Sequence, residues 1–123
     1  MNDKDTKQQI QELNIEDFIS IVFIVLGILN IYGDYLLKQS IKKHDNKSQE
    51  NATNIFIIAL IITFFIHLFY FDKHYKNYKK VNSNKKKLFI VKVLGSSFFL
   101  AGVICSLYFI IKNKASNDNV PEI

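Results

Sequence analysis

The chain has 123 residues, a formal net charge of +5 and 49% hydrophobic residues. That length suits one compact unit rather than two domains. Its mean hydropathy is only +0.08, but the apolar residues are gathered into three long blocks and the charges lie almost wholly outside them. Such segregation excludes an ordinary soluble domain, which would intersperse the two at helix or strand period. Segments apolar on every face are solvated by lipid or fully buried, and a chain this short cannot bury three of them in an aqueous core. The expected fold is an all-α membrane protein with three transmembrane helices in an antiparallel bundle.

In chain order, residues 1–13 are polar and expected to be loosely ordered. Asn14 is a candidate helix cap, with Asp17 in the first turn. The N-terminus carries Asp3, Asp5, Glu12, Glu16 and Asp17 against Lys4 and Lys7, which is not the basic start of a secretory signal. The first block runs from Phe18 to Leu37 and is interrupted by Ser20, Gly27, Asn30, Gly33 and Asp34. Residues 38–54 read as a polar loop. The second block is Ile55 to Phe71, and the third is Leu88 to Ile111. A bilayer core of roughly 30 Å takes about 20 helical residues, so the second falls a little short and the third is a little long. The tail, residues 112–123, is polar.

Between the second and third blocks, Phe71, Tyr75 and Tyr78 recur at i, i+4, i+7 with lysines on the other faces. This predicts that the second helix runs past the hydrocarbon edge to about Lys80, as a cytoplasmic extension. Lys73, Tyr75, Lys76, Tyr78, Lys79 and Lys80 then form a basic and aromatic connector in the headgroup region. An interfacial anchor is the plainer reading; a docking surface for lipid, nucleic acid or protein is the sharper one. Tyrosine and lysine are the usual interfacial residues, which favours the anchor and weighs against nucleic acid.

All 16 basic residues are lysine. With the connector inside, that face carries nine lysines against six on the other. The bias places the N-terminus and loop 72–87 in the cytoplasm, and loop 38–54 and the C-terminus outside.

Polar and small residues within spans tend to face other helices. At 100° per residue, Ser20, Gly27, Asn30 and Asp34 share one stripe of the first helix. Ala59, Thr63, His67 and Tyr70 share one on the second. Gly95, Gly102 and Ser106 line the third, with Ser97, Ala101 and Cys105 beside them. Gly95, Ala101, Gly102 and Ser106 are the candidate packing face, which would make the third helix the packing centre. Asn30, Asp34, Thr63 and His67 are the candidate polar positions within the membrane. Asp34 could bind a cation or relay protons, although Lys38 at i+4 offers it a partner at the membrane boundary. His67 could sense pH, or hydrogen-bond across the bundle to Ser20 or Ser96. An axial separation of about 15 Å keeps Asp34 and His67 from forming a direct pair. Lys92 sits one turn into the third span and can snorkel. Cys105 is the single cysteine and reads as a packing residue. Neither a cofactor nor a catalytic or metal-binding residue is indicated.

Residues 28–35 (ILNIYGDY), 51–56 (NATNIF), 74–80 (HYKNYKK) and 88–109 (LFIVKVLGSSFFLAGVICSLYF) resemble a group of small three-span proteins of low-GC Gram-positive bacteria. The resemblance implies three spans and a bacterial plasma membrane, and carries no site residue with it. A high content of Lys, Ile and Asn also suits an AT-rich bacterial genome. The expected function is that of an accessory or interaction protein, immunity-like or partner-binding, with the bilayer and another membrane protein as partners. The alternative is self-association into a pore or ion carrier, holin-like in one form. A membrane enzyme fits least, because no nucleophile, base and oxyanion donor share one depth.

Overall fold

In the computed structural model, residues 3–116 are described and fold into three helices: α1 (Asp3–Lys43), α2 (Asn46–Lys80) and α3 (Lys86–Ser116). All three are long and apolar enough to cross a membrane. At 1.5 Å per residue α1 alone is about 60 Å long, roughly twice a hydrocarbon core. The helices therefore extend well past their apolar blocks.

Two expectations are corrected here. Residues 3–13 are helical rather than loosely ordered, and Asn14 lies inside α1 rather than capping it. Nor is 38–54 a loop, because α1 continues to Lys43 and α2 begins at Asn46. That stretch has no Pro or Gly and is rich in Lys and Gln, which are good helix formers. The tail is likewise helical as far as Ser116, and residues 117–123 lie outside the described residues. The extension of α2 to Lys80 is as expected.

Two residues, His44 and Asp45, join α1 to α2. His44 takes the left-handed conformation, with φ 52°, and the Asp45 N–H donates to the Ser40 carbonyl at 3.1 Å. This is the six-to-one bond that closes many helix C-termini. Histidine stands where glycine is usual, at a cost of about 1 kcal/mol. Asp45 then caps α2: its carboxylate accepts from the Lys47 N–H at 3.0 Å and the Ser48 hydroxyl at 2.8 Å.

Those bonds, the Ser48 hydroxyl first and then the Lys47 amide, hold the Asp45 carboxyl below its ordinary value of 3.8. A carboxyl depressed in the fold stabilises it above its unfolded value, and the contribution is lost as pH falls through the folded value. Acidification below about pH 4 should therefore fray the first turn of α2. Hydrogen exchange of the amides of Lys47 to Gln49, relative to intrinsic rates, should accelerate there, and Asp45→Asn should flatten the response. Identical profiles for the two proteins would remove the carboxylate from this role.

The helices pack antiparallel, with α2 in the middle: it packs closely on both neighbours, while the backbones of α1 and α3 do not approach each other closely. The third helix is thus not the packing centre. The buried residues of α1 are Ile19, Leu26, Gly33 and Ser40, spaced by seven. Ala52, Ala59 and Ile66 on α2 and Ser96, Val103 and Ile110 on α3 keep the same interval. A seven-residue repeat marks left-handed packing of neighbouring helices. Ile19, Leu26, Ala59 and Ile66 make one cluster between α1 and α2. Ala52, Phe56 and Ile110 make a second, flanked by Leu36, Leu37, Ile57 and Leu60.

Candidate functional site

The apolar block of α2 ends at Phe71, and that of α1 begins at Phe18. Two residues outside each edge the helices are joined by an ion pair between Glu16 and Lys73. One residue further along α2, His74 Nδ1 lies 2.7 Å from Ser96 Oγ on α3, and the His74 ring stacks with Tyr70 at 6.0 Å. Each interface of α2 is therefore closed by one polar contact at the same depth. At the hydrocarbon boundary an unpaired charge or hydroxyl is costly, and these contacts satisfy four such groups together.

Sequence reasoning did not find this layer. Glu16 read as part of an acidic N-terminus, Lys73 as one interfacial lysine among several, and His74 as connector. The signal lay in the register, since Glu16 and Lys73 sit the same distance beyond the ends of adjacent antiparallel blocks. Ser96 is 6% exposed, between α2 and α3. The contact ties α2 to α3.

The four polar positions within the apolar blocks are not brought together. Asn30 is half-buried and Asp34 is exposed. The Asp34–Lys38 pair is not formed; both side chains are exposed, and the ion pairs between helices or along them at these positions involve Glu16 with Lys73 and Asp72 with Lys76. The Thr63 hydroxyl donates to the Ala59 carbonyl of its own helix at 2.8 Å. His67 stacks on Phe99 of α3, with ring centroids 4.9 Å apart and planes 1° from parallel, and lies 6.2 Å from the Phe23 ring of α1. Its proposed partners are engaged elsewhere: the Ser20 hydroxyl donates to the Glu16 carbonyl at 3.0 Å, and Ser96 meets His74. The polar stripe of α1 is also turned away from α2. Ser20, Gly27 and Asp34 are exposed, while residues one position earlier, Ile19, Leu26 and Gly33, are buried.

On α3 most of the small-residue face is left uncovered by the described residues. Gly95 is half-buried, and Ala101, Gly102 and Ser106 are exposed. A Cβ added at Gly95 or Gly102 would meet nothing within 4 Å. Val93, Ser96, Val103 and Ile110 supply the buried face instead. Cys105 is exposed. On the connector, Tyr75, Lys76, Lys79 and Lys80 are exposed and Lys73 and Tyr78 half-buried. Among the described residues no three His, Cys, Asp or Glu side chains cluster so as to hold a metal ion.

Three long apolar helices and an outward-facing apolar surface that includes Phe18, Ile31, Phe98 and Phe99 define a multi-pass membrane protein. Comparison with protein-family models, with curated proteins and with solved structures finds no match.

Proposed function

We propose that the protein is a non-catalytic accessory protein of a bacterial plasma membrane, immunity-like or otherwise partner-binding, which seats a larger membrane protein against α3. The supporting observation is the exposed face of Ala101, Gly102 and Ser106, with Gly95 half-buried at its start. Small residues let helix backbones approach closely, and van der Waals packing is what drives helix association in lipid. In this reading the N-terminus and the α2–α3 connection are cytoplasmic, and the α1–α2 turn and C-terminus lie outside, following the lysine bias.

The test is gentle extraction of a tagged chain, with mass measurement of the intact complex and identification of what co-purifies. Gly102→Leu should leave the fold intact, because Gly102 is exposed and a Cβ added there meets nothing within 4 Å. It should lower recovery of the partner about tenfold, the equivalent of about 1.4 kcal/mol. Unchanged recovery would count against this face.

A second reading, a homo-oligomeric pore or ion carrier, rests on Asp34, which is exposed in the first apolar block and needs a polar neighbour in lipid. It requires an ion leak from vesicles that disappears with Asp34→Asn. Vesicles that stay tight, or leak regardless of that change, would exclude Asp34 from a pathway.

A further inference from the structure

We infer that the end of α2 and the start of α3 form a binding surface for the headgroups of anionic phospholipids. Phe71, Tyr75 and Tyr78 stack as a ladder along α2. Ring centroids are 6.3 Å apart at the first step, with planes 2° from parallel, and 6.5 Å apart at the second. Lysines from both helices lean over it: Lys79 Nζ lies 4.7 Å from the Tyr75 centroid, and Lys86 Nζ 5.3 Å from that of Tyr78. The rings hold these two ammonium groups in place by cation–π attraction without neutralising them.

Most of the charge of this surface is not answered among the described residues. Of the connector lysines, Lys73 pairs with Glu16 and Lys76 with Asp72. Lys79, Lys80, Lys85, Lys86 and Lys87 have no carboxylate partner among the described residues. Five like charges gathered over a few turns repel one another, and a negatively charged ligand relieves that repulsion. Position selects the ligand. Phe71 closes the apolar block, so Tyr75 stands about 6 Å further along the helix axis, within the headgroup layer, and Lys79 reaches back to that depth with its Nζ 4.7 Å from the Tyr75 centroid. Tyr75 is 41% exposed, which leaves its ring open to an acyl–glycerol backbone while the lysines meet the phosphate. Tyrosine and lysine at this depth would anchor in any bilayer; the converging, unneutralised lysines add a preference for anionic headgroups.

This inference rests on the membrane-crossing helices alone and not on a protein partner, so loss of partner recovery leaves it standing. The test is native mass measurement of the purified full chain from mixed micelles with equal phosphatidylglycerol and phosphatidylcholine. The wild type should retain phosphatidylglycerol about tenfold over phosphatidylcholine. The Lys79→Gln/Lys86→Gln double variant should fall near parity, and Lys42→Gln/Lys43→Gln, which removes equal charge at the opposite end, should keep the preference. Equal retention of both lipids by the wild type would overturn the inference, as would an equal loss in the two double variants. Tight capture of a short single-stranded oligonucleotide with no retained phosphatidylglycerol would also overturn it, in favour of a soluble polyanion.

Discussion

Gly33→Leu should unseat α1 from α2. A Cβ at position 33 would stand 2.5 Å from Phe56 Cε1 and 2.9 Å from Cζ, closer than carbon atoms can approach. Phe56 is 1% exposed and is packed against Ala52 and Ile110, so its ring has nowhere to retreat. Even Gly33→Ala should cost about 1–3 kcal/mol, the usual price of overpacking, and leucine more. Unfolding in mixed micelles, followed by loss of helix or by trapping of the separated helices, measures the effect. Phe56→Leu should restore part of the stability of Gly33→Ala, giving a non-additive pair as expected of residues in contact. Gly33→Leu with wild-type stability would mean that the two helices do not meet here.

Reversing the charge of Glu16 should have the next largest effect. Glu16→Lys places two ammonium groups at the α1–α2 interface where an ion pair now stands. The side chains are 34% and 20% exposed for Glu16 and Lys73, so water screens part of the interaction. A destabilisation of about 1–2 kcal/mol follows, below the ~3–5 kcal/mol of a fully buried pair losing one partner. Lys73→Glu alone should destabilise similarly, and the double exchange should recover at least half of the loss. Additive effects in the double variant would show that the two residues do not interact.

The number of spans was legible because lipid demands long blocks apolar on all faces, and no soluble pattern resembles that. The extension of α2 to Lys80 was legible from the spacing of Phe71, Tyr75 and Tyr78. The helical character of 3–13 and 38–54 was not. Polar segments were assigned to loops by polarity alone, whereas helix propensity and the absence of Gly and Pro decide the matter. The faces were also misjudged, for a specific reason. Ser20, Gly27 and Asp34 form one heptad stripe and their immediate predecessors Ile19, Leu26 and Gly33 form another, about 100° away around the helix, and polarity pointed to the wrong one. In lipid, apolar residues are as good an interface as polar ones, so the stripe that packs cannot be told from the stripe that faces out by hydrophobicity. The polar layer of Glu16, Lys73, His74 and Ser96 needed three-dimensional register to appear.

The two-residue connection at His44 and Asp45 bears on how the chain enters its membrane. In the proposed orientation, with the N-terminus cytoplasmic, the tip joining α1 to α2 is the part carried through the hydrocarbon. An open polar loop would drag a run of bare peptide groups with it, each costing several kcal/mol in lipid. Here the backbone is hydrogen-bonded in helix up to Lys43 and again from Asn46, and the six-to-one bond and the Asp45 cap serve the ends between. What is left to dehydrate during translocation is side chains, several of them long lysines that can reach back toward water. In that orientation the cost of passing the tip falls on side chains, because the backbone of the turn is already hydrogen-bonded at both helix ends.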